Sequence, residues 1–571
     1  MAQEDEPRWF VKTNQIASDK SFFHWELEFP EIFFEGGAPK EAPGWDAVVG
    51  NPPYVNAIGL NKTLSEYEKP FWKQFFKSAS GAYDLYILFI ELGIKLTRKQ
   101  RLLSLITPNK FLSAPYAVAF REYFCQTAKL LRLLNLSHIH VFEDPSVYPI
   151  ITVIENSIPI GSYDINIEIP LSTQSNSDTT VLIQNSENLT KLPENIWGFL
   201  ISENLSLILK GERISVQLQS CCTVRASSTA AEADAYENAL TAVDGENRKK
   251  FINTGLIDRY NTLWGVDSLT HKGVNFTTPY LDISNPAVSK ERKTQYGKPK
   301  IVFAKMAKRV EAFLDVKGEF ASANTNFVYD SEYDLRYLLT ILNSNLMSTL
   351  YGGYFGALIM SGGYFQFQAP QLRVLPIRCI SFTTPPDRRA ALVEQAKALY
   401  SAEAPDSVKK ILDFVSQRLE AKPEESDVVH DLLAYLAERM IEMNKGKNAE
   451  IKGFLEFLRG EIGAHIADLS NKTAIQEYYK HEFQNLINVL VKNKKKLKAG
   501  YDPKDPDPYK HLLKWYTDSV GKLAPLMRRI EATDGLIDQI VYKLYGLTAD
   551  EIKIVEEGIK TTSIKGISEE S

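Results

Sequence analysis

The pattern of apolar and polar positions in the first third of this chain predicts strands that alternate with helices. Short apolar runs stand at 45–50, 102–107, 131–137 and 150–155, and apolar residues recur at helical spacing at 82–98 and 116–127. Such alternation indicates α/β layers around a mostly parallel sheet. The last two runs have no helix between them, which predicts a hairpin at the sheet edge.

The pattern changes after residue 160. Residues 161–200 are rich in Ser, Asn and Pro, as is typical of a connector. Residues 201–380 mix short strands with turns, whereas residues 381–571 show mostly helical spacing of apolar residues. We therefore expect an α/β fold, with a partial Rossmann-like sheet in 1–160, a connector, an α+β domain and a helical C-terminal region.

Composition and motif content exclude several classes of protein. No run of eighteen apolar residues occurs, so we expect no membrane span. The N-terminus lacks the apolar core of a secretion signal. The four cysteines form no CxxC pair, which favours reduced thiols in a cytoplasmic protein. The eight histidines are scattered without ligand spacing, which predicts no metal site.

The charge is unevenly distributed. A net charge of −5 argues against binding of nucleic acid over the whole surface, but not against a local basic groove. Between Lys290 and Arg309, eight basic residues stand against one acid, Glu291. The candidate DNA contacts from this cluster are Lys298, Lys300, Lys305, Lys308 and Arg309. A solvated helix face or loop is the alternative interpretation.

The most informative motif is Asn51-Pro52-Pro53-Tyr54, directly after the apolar run 45–50. Sites in α/β sheets lie at the carboxyl ends of strands. Asn51 offers a side-chain oxygen acceptor, and the two prolines stiffen the main chain where a carbonyl is presented. Tyr54 offers a flat face on which a flipped base can stack. Two acceptors beside a flat ring suit an exocyclic amino group that receives a methyl group, although a Pro-Pro turn that caps a strand is the alternative.

Four strings resemble the γ-type amino-methyltransferases of DNA, the group of the TaqI methyltransferase and the fused type IIG restriction–modification enzymes. The strings are Asn51–Tyr54, Tyr83–Tyr86 with Phe89, Leu105–Leu112, and Val141–Phe142 before Ile150–Ile154. The resemblance implies S-adenosylmethionine-dependent, site-specific methylation of the adenine amino group in duplex DNA with base flipping, within a restriction–modification or phage-defence system.

The same resemblance implies roles for individual residues. Asn51, Pro52, Pro53 and Tyr54 would be catalytic, and Tyr54 and Phe142 would contact the target adenine. Phe89, with Asn51 and Pro53, would contact the cofactor. Core packing is the alternative for both phenylalanines.

Residues 201–380 resemble the target-recognition domain of these enzymes. The matching strings are Phe251–Gly255, Lys298–Phe303, Tyr337–Leu339, Ile341–Ser344 and Gly362–Ile377. Gln366, Gln368 and Arg225 are candidate base readers. The tail around 540–556 also matches, and it predicts a helix that ends at Gly546 and a second helix that starts at Thr548.

The pattern for the larger part of a cofactor site is missing. S-adenosylmethionine normally sits over a Gly-rich turn after the first strand, with a carboxylate after the second strand. In γ-type enzymes both of these features precede the Asn-Pro-Pro-Tyr motif along the chain. Here 50 residues come before Asn51, whereas three strand–helix units need roughly 100. We expect that a partner polypeptide supplies those strands, with or without a nuclease domain, or that the reading frame is a truncated form of a longer enzyme.

Two other functions compete with DNA methylation by this chain. The first is a non-catalytic DNA-recognition subunit of such a complex. The second is the same chemistry on a glutamine side chain or an RNA base. The long region after residue 160 favours double-stranded DNA as the partner.

Overall fold

The computed structural model describes residues 7–56, 59–60, 68–137, 139, 141–142, 148–170, 179–202, 204–402 and 406–564. The chain separates into two compact units, residues 1–201 and 202–571. Each unit contains both helices and strands, which confirms a mixed α/β protein.

A six-stranded mixed sheet forms the centre of the first unit, in the order β3-β4-β6-β5-β7-β8. Strands β3 and β4 are parallel, β6 runs antiparallel to both of its neighbours, and β5 and β7 are parallel. The strands are β1 (Phe34–Glu35), β2 (Ala38–Pro39), β3 (Trp45–Gly50), β4 (Thr97–Pro108), β5 (Lys129–Asn135), β6 (Pro149–Glu155), β7 (Asp164–Pro170) and β8 (Thr179–Asn185). The helices are α1 (Arg8–Lys20), α2 (Trp25–Glu28), α3 (Pro30–Phe33), α4 (Glu68–Phe75), α5 (Leu85–Leu96) and α6 (Val118–Thr127).

The predicted pairing of β5 with β6 is confirmed, but this pair does not lie at the sheet edge. Strands β7 and β8, within the segment expected to be a connector, extend the sheet beyond β5. Ile165 and Ile167 are fully buried, whereas Asp164 and Asn166, which alternate with them, are exposed. This alternation is that of a strand with one buried face, and it outweighs the polar composition of the segment.

Helix α5 packs against β3 and β4. Its residues Ile87 and Ile90 are fully buried, and Gly93 faces Leu103 of β4 so closely that an added Cβ would stand 2.8 Å from a Leu103 methyl carbon. Gly44 permits a second close approach, just before β3. Its φ is +114°, and an added Cβ would stand 2.7 Å from the carbonyl oxygen of Leu96. These contacts fix β3 and α5 relative to β4.

The second unit contains two four-stranded sheets, in the orders β10-β22-β18-β20 and β11-β17-β12-β21, together with two-stranded pairs. All five residues of β18 are buried. The strands are β9 (Ser215–Gln217), β10 (Thr223–Ala226), β11 (Leu240–Thr241), β12 (Arg248–Ile252), β13 (Ile257–Asp258), β14 (Asn261–Thr262), β15 (Leu269–His271), β16 (Val274–Phe276), β17 (Tyr280–Asp282), β18 (Lys300–Ala304), β19 (Met306–Ala307), β20 (Ala312–Asp315), β21 (Phe320–Ser322), β22 (Thr325–Tyr329), β23 (Phe365–Gln366) and β24 (Pro376–Arg378).

Helices dominate the rest of the second unit. They are α7 (Leu205–Arg213), α8 (Leu218–Cys221), α9 (Ala230–Ala235), α10 (Lys290–Gly297), α11 (Leu335–Asn343), α12 (Asn345–Phe355), α13 (Ala369–Arg373), α14 (Pro386–Ser401), α15 (Ser407–Leu419), α16 (Ser426–Ile462), α17 (Lys472–Gln476), α18 (Phe483–Lys492), α19 (Pro506–Leu544) and α20 (Ala549–Ile564). As predicted, α19 ends before Gly546, and Thr548 caps the next helix by exchanging hydrogen bonds with Glu551. Within the described part of the chain, no helix combines the length and apolarity needed to cross a bilayer.

Candidate active site

The Asn-Pro-Pro-Tyr motif follows β3 at the carboxyl end of the parallel pair β3–β4, as predicted from the sequence. Gly50 pairs with Leu105, and β4 continues to Pro108. Asn51 is exposed, and its side-chain amide has no hydrogen-bond partner among the described residues. Pro52 is buried and anchors the turn. An amide with free acceptor capacity therefore stands at the sheet end on a main chain that two prolines make stiff.

The Tyr54 ring is held from two sides. Its hydroxyl donates to the carbonyl oxygen of Ile106 at 3.0 Å, next to the end of β4. Its ring meets that of Phe142 edge to face, with centroids 5.9 Å apart and planes at 85°. Burial raises the pKa of Tyr54 to about 12, so the hydroxyl stays protonated and keeps donating at neutral pH.

Phe142 comes before β6, far from Tyr54 in sequence, and the two half-buried rings together form an aromatic wall. The sheet topology explains this proximity, because β6 runs antiparallel to β4 and therefore begins where β4 ends. The structure thus brings together the two residues that the sequence analysis assigned to the target base. Their assignment to that role stays a prediction.

A part-buried chain of hydrogen bonds lies next to Tyr54, and the sequence analysis did not identify it. Tyr116 donates to a carboxylate oxygen of Asp84 at 2.8 Å, and the hydroxyls of Tyr116 and Tyr86 lie 3.0 Å apart. Burial raises the pKa of Tyr86 and of Tyr116 well above the usual range, so both remain neutral donors. The Tyr86 ring in turn packs edge-on against Tyr54, with centroids 6.4 Å apart.

Asn109 is a second residue that sequence reasoning missed. It follows β4 at the same end of the sheet and is buried. Its amide nitrogen donates to the Ser137 hydroxyl at 2.9 Å, whereas its Oδ1 has no partner among the described residues. A buried amide oxygen without a donor is unusual enough to mark a place where a polar group of a ligand or a water belongs.

Phe89, the predicted cofactor contact, lies on α5. It is 39% exposed, although most of that helix is buried. Core packing therefore does not explain the residue. Its exposed ring leaves a flat apolar surface on this helix.

The basic cluster of the second unit differs from the prediction at one position. Lys300 is fully buried in β18 and forms an ion pair with Asp315 at 2.6 Å, so it does not reach a phosphate. Cross-strand register places Asp315 directly opposite Lys300. Lys298 forms an ion pair with Asp330 at the surface, and its contact with DNA stays a prediction.

The other four members of the cluster remain candidates for contact with DNA. Lys305 and Lys308 form no ion pair with any described residue. Arg309 is half-buried, and burial lowers the pKa of its guanidinium from the usual value.

Three family models match separate parts of the chain. Residues 2–142 match the Eco57I restriction-modification methylase, and residues 257–377 match the TaqI-like C-terminal specificity domain. Residues 426–541 match a domain of unknown function, DUF8810.

Curated relatives point the same way. The type II restriction enzyme and methyltransferase RM.Eco57I of Escherichia coli is 30% identical over 104 residues, which cover 18% of this chain and 10% of that protein. The type II methyltransferase M.BstVI of Geobacillus stearothermophilus is 29% identical over 152 residues, which cover 26% of this chain and 24% of that protein. The chain thus matches between a tenth and a quarter of the length of these two relatives.

Among solved structures, the type IIL restriction-modification enzyme MmeI in complex with DNA is similar over 68% of this chain and 53% of that chain, at 12% identity and a TM-score of 0.38. The chain therefore carries a segment similar to the Eco57I restriction-modification methylase and, further along, a segment similar to the TaqI-like C-terminal specificity domain.

Proposed function

We propose that this chain binds duplex DNA and holds a flipped-out adenine while its exocyclic amino nitrogen is methylated. The observation that carries the proposal is the exposed Asn51 amide beside the aromatic wall of Tyr54 and Phe142, at one end of the sheet. An unpaired amide acceptor and a rigid flat surface are what a planar amino-bearing base requires.

The chain's own groups account for the orientation of the amino group. The Asn51 Oδ1 and the Pro52 carbonyl would each accept one N–H hydrogen, which favours a pyramidal nitrogen with an available lone pair. The nitrogen gains a bond to the methyl carbon while the carbon–sulfur bond of the sulfonium donor breaks, and the bonding electron pair stays on sulfur as a neutral thioether. The methylated nitrogen then loses one proton, which passes to water. Tyr54 and Phe142 would hold the ring plane throughout. Orientation and fixed acceptors supply most of the catalysis in this scheme, without a strong base.

S-adenosylmethionine supplies the methyl group when bound, and part of the described surface suits contact with it. The exposed ring of Phe89 offers a flat apolar wall for a purine. We assign Phe89, with the main chain at Asn51 and Pro53, to this contact. Most of the cofactor site would come from elsewhere.

Strand β3 supports the proposal of a partner polypeptide. Among the described residues it is a terminal strand of the sheet, and its Val49 is 83% exposed. Helix α1 exposes Trp9 and buries no residue among those described. A bare apolar strand edge is a ready template for another strand. We propose that an α/β segment of a partner pairs in parallel with β3 and carries the remaining cofactor contacts.

The test of catalysis uses radiolabelled S-adenosylmethionine and plasmid DNA, with the purified chain alone and with proteins that co-purify from its native host. Asn51→Ala should lower methyl transfer about 100- to 1000-fold, as for loss of one fixed polar contact to a transition state, and leave DNA binding intact. Asn166→Ala, an exposed amide on β7, is the matched control and should retain activity.

Full activity of Asn51→Ala would refute the assigned role. If the chain binds DNA sequence-specifically but does not methylate it, either alone or with any co-purifying protein, the non-catalytic recognition subunit is favoured instead. The rate of amide hydrogen exchange in residues 45–50 should fall when the partner is added. An unchanged rate in the presence of every co-purifying protein would refute the pairing of a partner with β3.

A further inference from the structure

A narrow two-stranded ribbon in the second unit presents a chemically distinctive face. Strands β19 and β23 pair antiparallel, with Met306 opposite Gln366 and Ala307 opposite Phe365. The ribbon starts directly after β18, at one end of its sheet. We call β19, β23 and the flanking residues Lys308 and Tyr364 the reading ribbon.

The inner face of the reading ribbon is anchored in the core. Ala307 is buried, and the Phe365 ring packs edge-on against Tyr351 at 5.5 Å between centroids. The Tyr351 hydroxyl donates to the carbonyl oxygen of Gln366 at 2.7 Å. The Phe367 N–H donates to the Lys305 carbonyl oxygen at 2.8 Å, which continues the pairing by one residue. The ribbon is therefore held as a rigid element.

The outer face carries four side chains that the core does not use. Residues directly opposite each other, and residues two apart on one strand, share a face of a ribbon, so Met306, Gln366, Lys308 and Tyr364 lie together. The Lys308 Nζ stands 5.2 Å from the centroid of the Tyr364 ring, which confirms the shared face at one end. Met306 is 43% exposed and Tyr364 is 38% exposed.

The chemistry of this face differs from that of a phosphate-binding patch. A thioether offers a phosphate no donor, whereas an amide, a lysine and apolar side chains together match the groups on base edges. Gln pairs with adenine through two hydrogen bonds, Lys with the acceptors of guanine, and apolar side chains with the thymine methyl group. The Gln366 Oε1 also accepts from the Gln368 amide at 2.9 Å, which orients the Gln366 side chain. Lys308 has no acidic partner among the described residues to neutralise it.

We propose that the reading ribbon enters the major groove of DNA and reads base edges, with Gln366 and Lys308 as hydrogen-bonding readers and Met306 as an apolar contact. A two-stranded ribbon has the width that this groove admits. The inference rests on the proposed binding of duplex DNA, and it names the element that sets the sequence preference.

The test selects binders from a pool of short duplexes with a randomised centre, using the full chain and sequencing the enriched DNA. Wild type should enrich one motif. Gln366→Ala and Lys308→Ala should each lose preference at one or two base pairs, with discrimination there reduced about 5- to 150-fold. Met306→Ala should weaken a preference for thymine. Lys495→Ala, an exposed lysine far along the chain, is the matched control and should keep the whole motif.

Three outcomes would overturn the inference. If Gln366→Ala and Lys308→Ala enrich the same DNA motif as wild type and have unchanged melting temperatures, the ribbon does not read bases, although the chain still binds DNA. A uniform loss of affinity for all sequences would make Lys308 a phosphate contact. A wild-type chain that enriches no motif would refute sequence-specific DNA binding itself, and the inference with it.

Discussion

Replacement of Tyr54 gives the sharpest test of the aromatic wall. Tyr54→Ala removes the proposed stacking surface, worth about 1–3 kcal/mol per base. It also removes the edge-to-face contact with Phe142, worth about 0.5–1.5 kcal/mol. The lost stacking corresponds to a fall in kcat/KM of about 5- to 150-fold. The ring contact is present with and without DNA, so its loss lowers the stability of the protein instead.

Tyr54→Phe separates the ring from its hydroxyl. It retains the flat face and loses only the hydrogen bond to the Ile106 carbonyl, worth about 0.5–1.5 kcal/mol. The expected fall in kcat/KM is about 2- to 12-fold. Because burial raises the pKa of Tyr54 to about 12, its hydroxyl does not titrate near neutrality, and both proteins should share one pH profile.

The assay measures methyl transfer to plasmid DNA by the purified chain, alone or with the co-purifying protein that makes it active. A duplex with 2-aminopurine at the target position reports base flipping by its fluorescence. Tyr54→Ala should lower both signals, and a Phe142→Ala double-mutant cycle should show coupling between the rings. If Tyr54→Ala keeps kcat/KM near wild type while Asn51→Ala is inactive, the ring is not the platform.

Three further predictions concern stability, each measured by chemical or thermal unfolding. Lys300→Ala should cost about 3–5 kcal/mol because it leaves the Asp315 carboxylate buried without its partner, whereas Lys298→Ala, at an exposed pair, should cost about 0–1 kcal/mol; equal costs would contradict the burial of Lys300. Gly44→Ala should destabilise by about 1–3 kcal/mol more than Gly37→Ala, since both have positive φ but only at Gly44 would a Cβ meet main chain; an equal loss would place the cost in φ alone. Burial raises the pKa of Asp538 to about 7, so its contribution to stability is present at acid pH and is lost as pH rises through about 7; Asp538→Asn should remove this pH dependence, and a curve parallel to wild type would disprove it.

The strand before Asn51 and its place at the sheet end could be predicted, because a short apolar run that ends in Gly before two prolines leaves few alternatives. The proximity of Phe142 followed only from resemblance. The chain from Asp84 through Tyr116 to Tyr86 could not be predicted, since it depends on where the segment between β4 and α6 lies relative to α5. The local sequence does not determine how far that segment lies from α5 in the folded chain.

The prediction that Lys300 contacts DNA is wrong for a different reason. Lys300 belongs to a basic cluster in the sequence, yet it begins the run Lys300–Ala304, all of which is buried. The apolar run was visible in the sequence, but the identity of the compensating acid was not. Only the antiparallel register with β20 reveals Asp315 as that acid.

The exposed edge of β3 has a consequence for how activity would be controlled. If the proposed strand pairs in parallel with β3, it cannot form a tight hairpin with β3, and it belongs either to a segment joined by a long crossover or to another polypeptide. If it belongs to another polypeptide, methylation becomes second order in protein and fades on dilution. A newly made chain would then be inactive until its partner accumulates. A short peptide that pairs with residues 45–50 would inhibit methylation without contacting DNA or the cofactor.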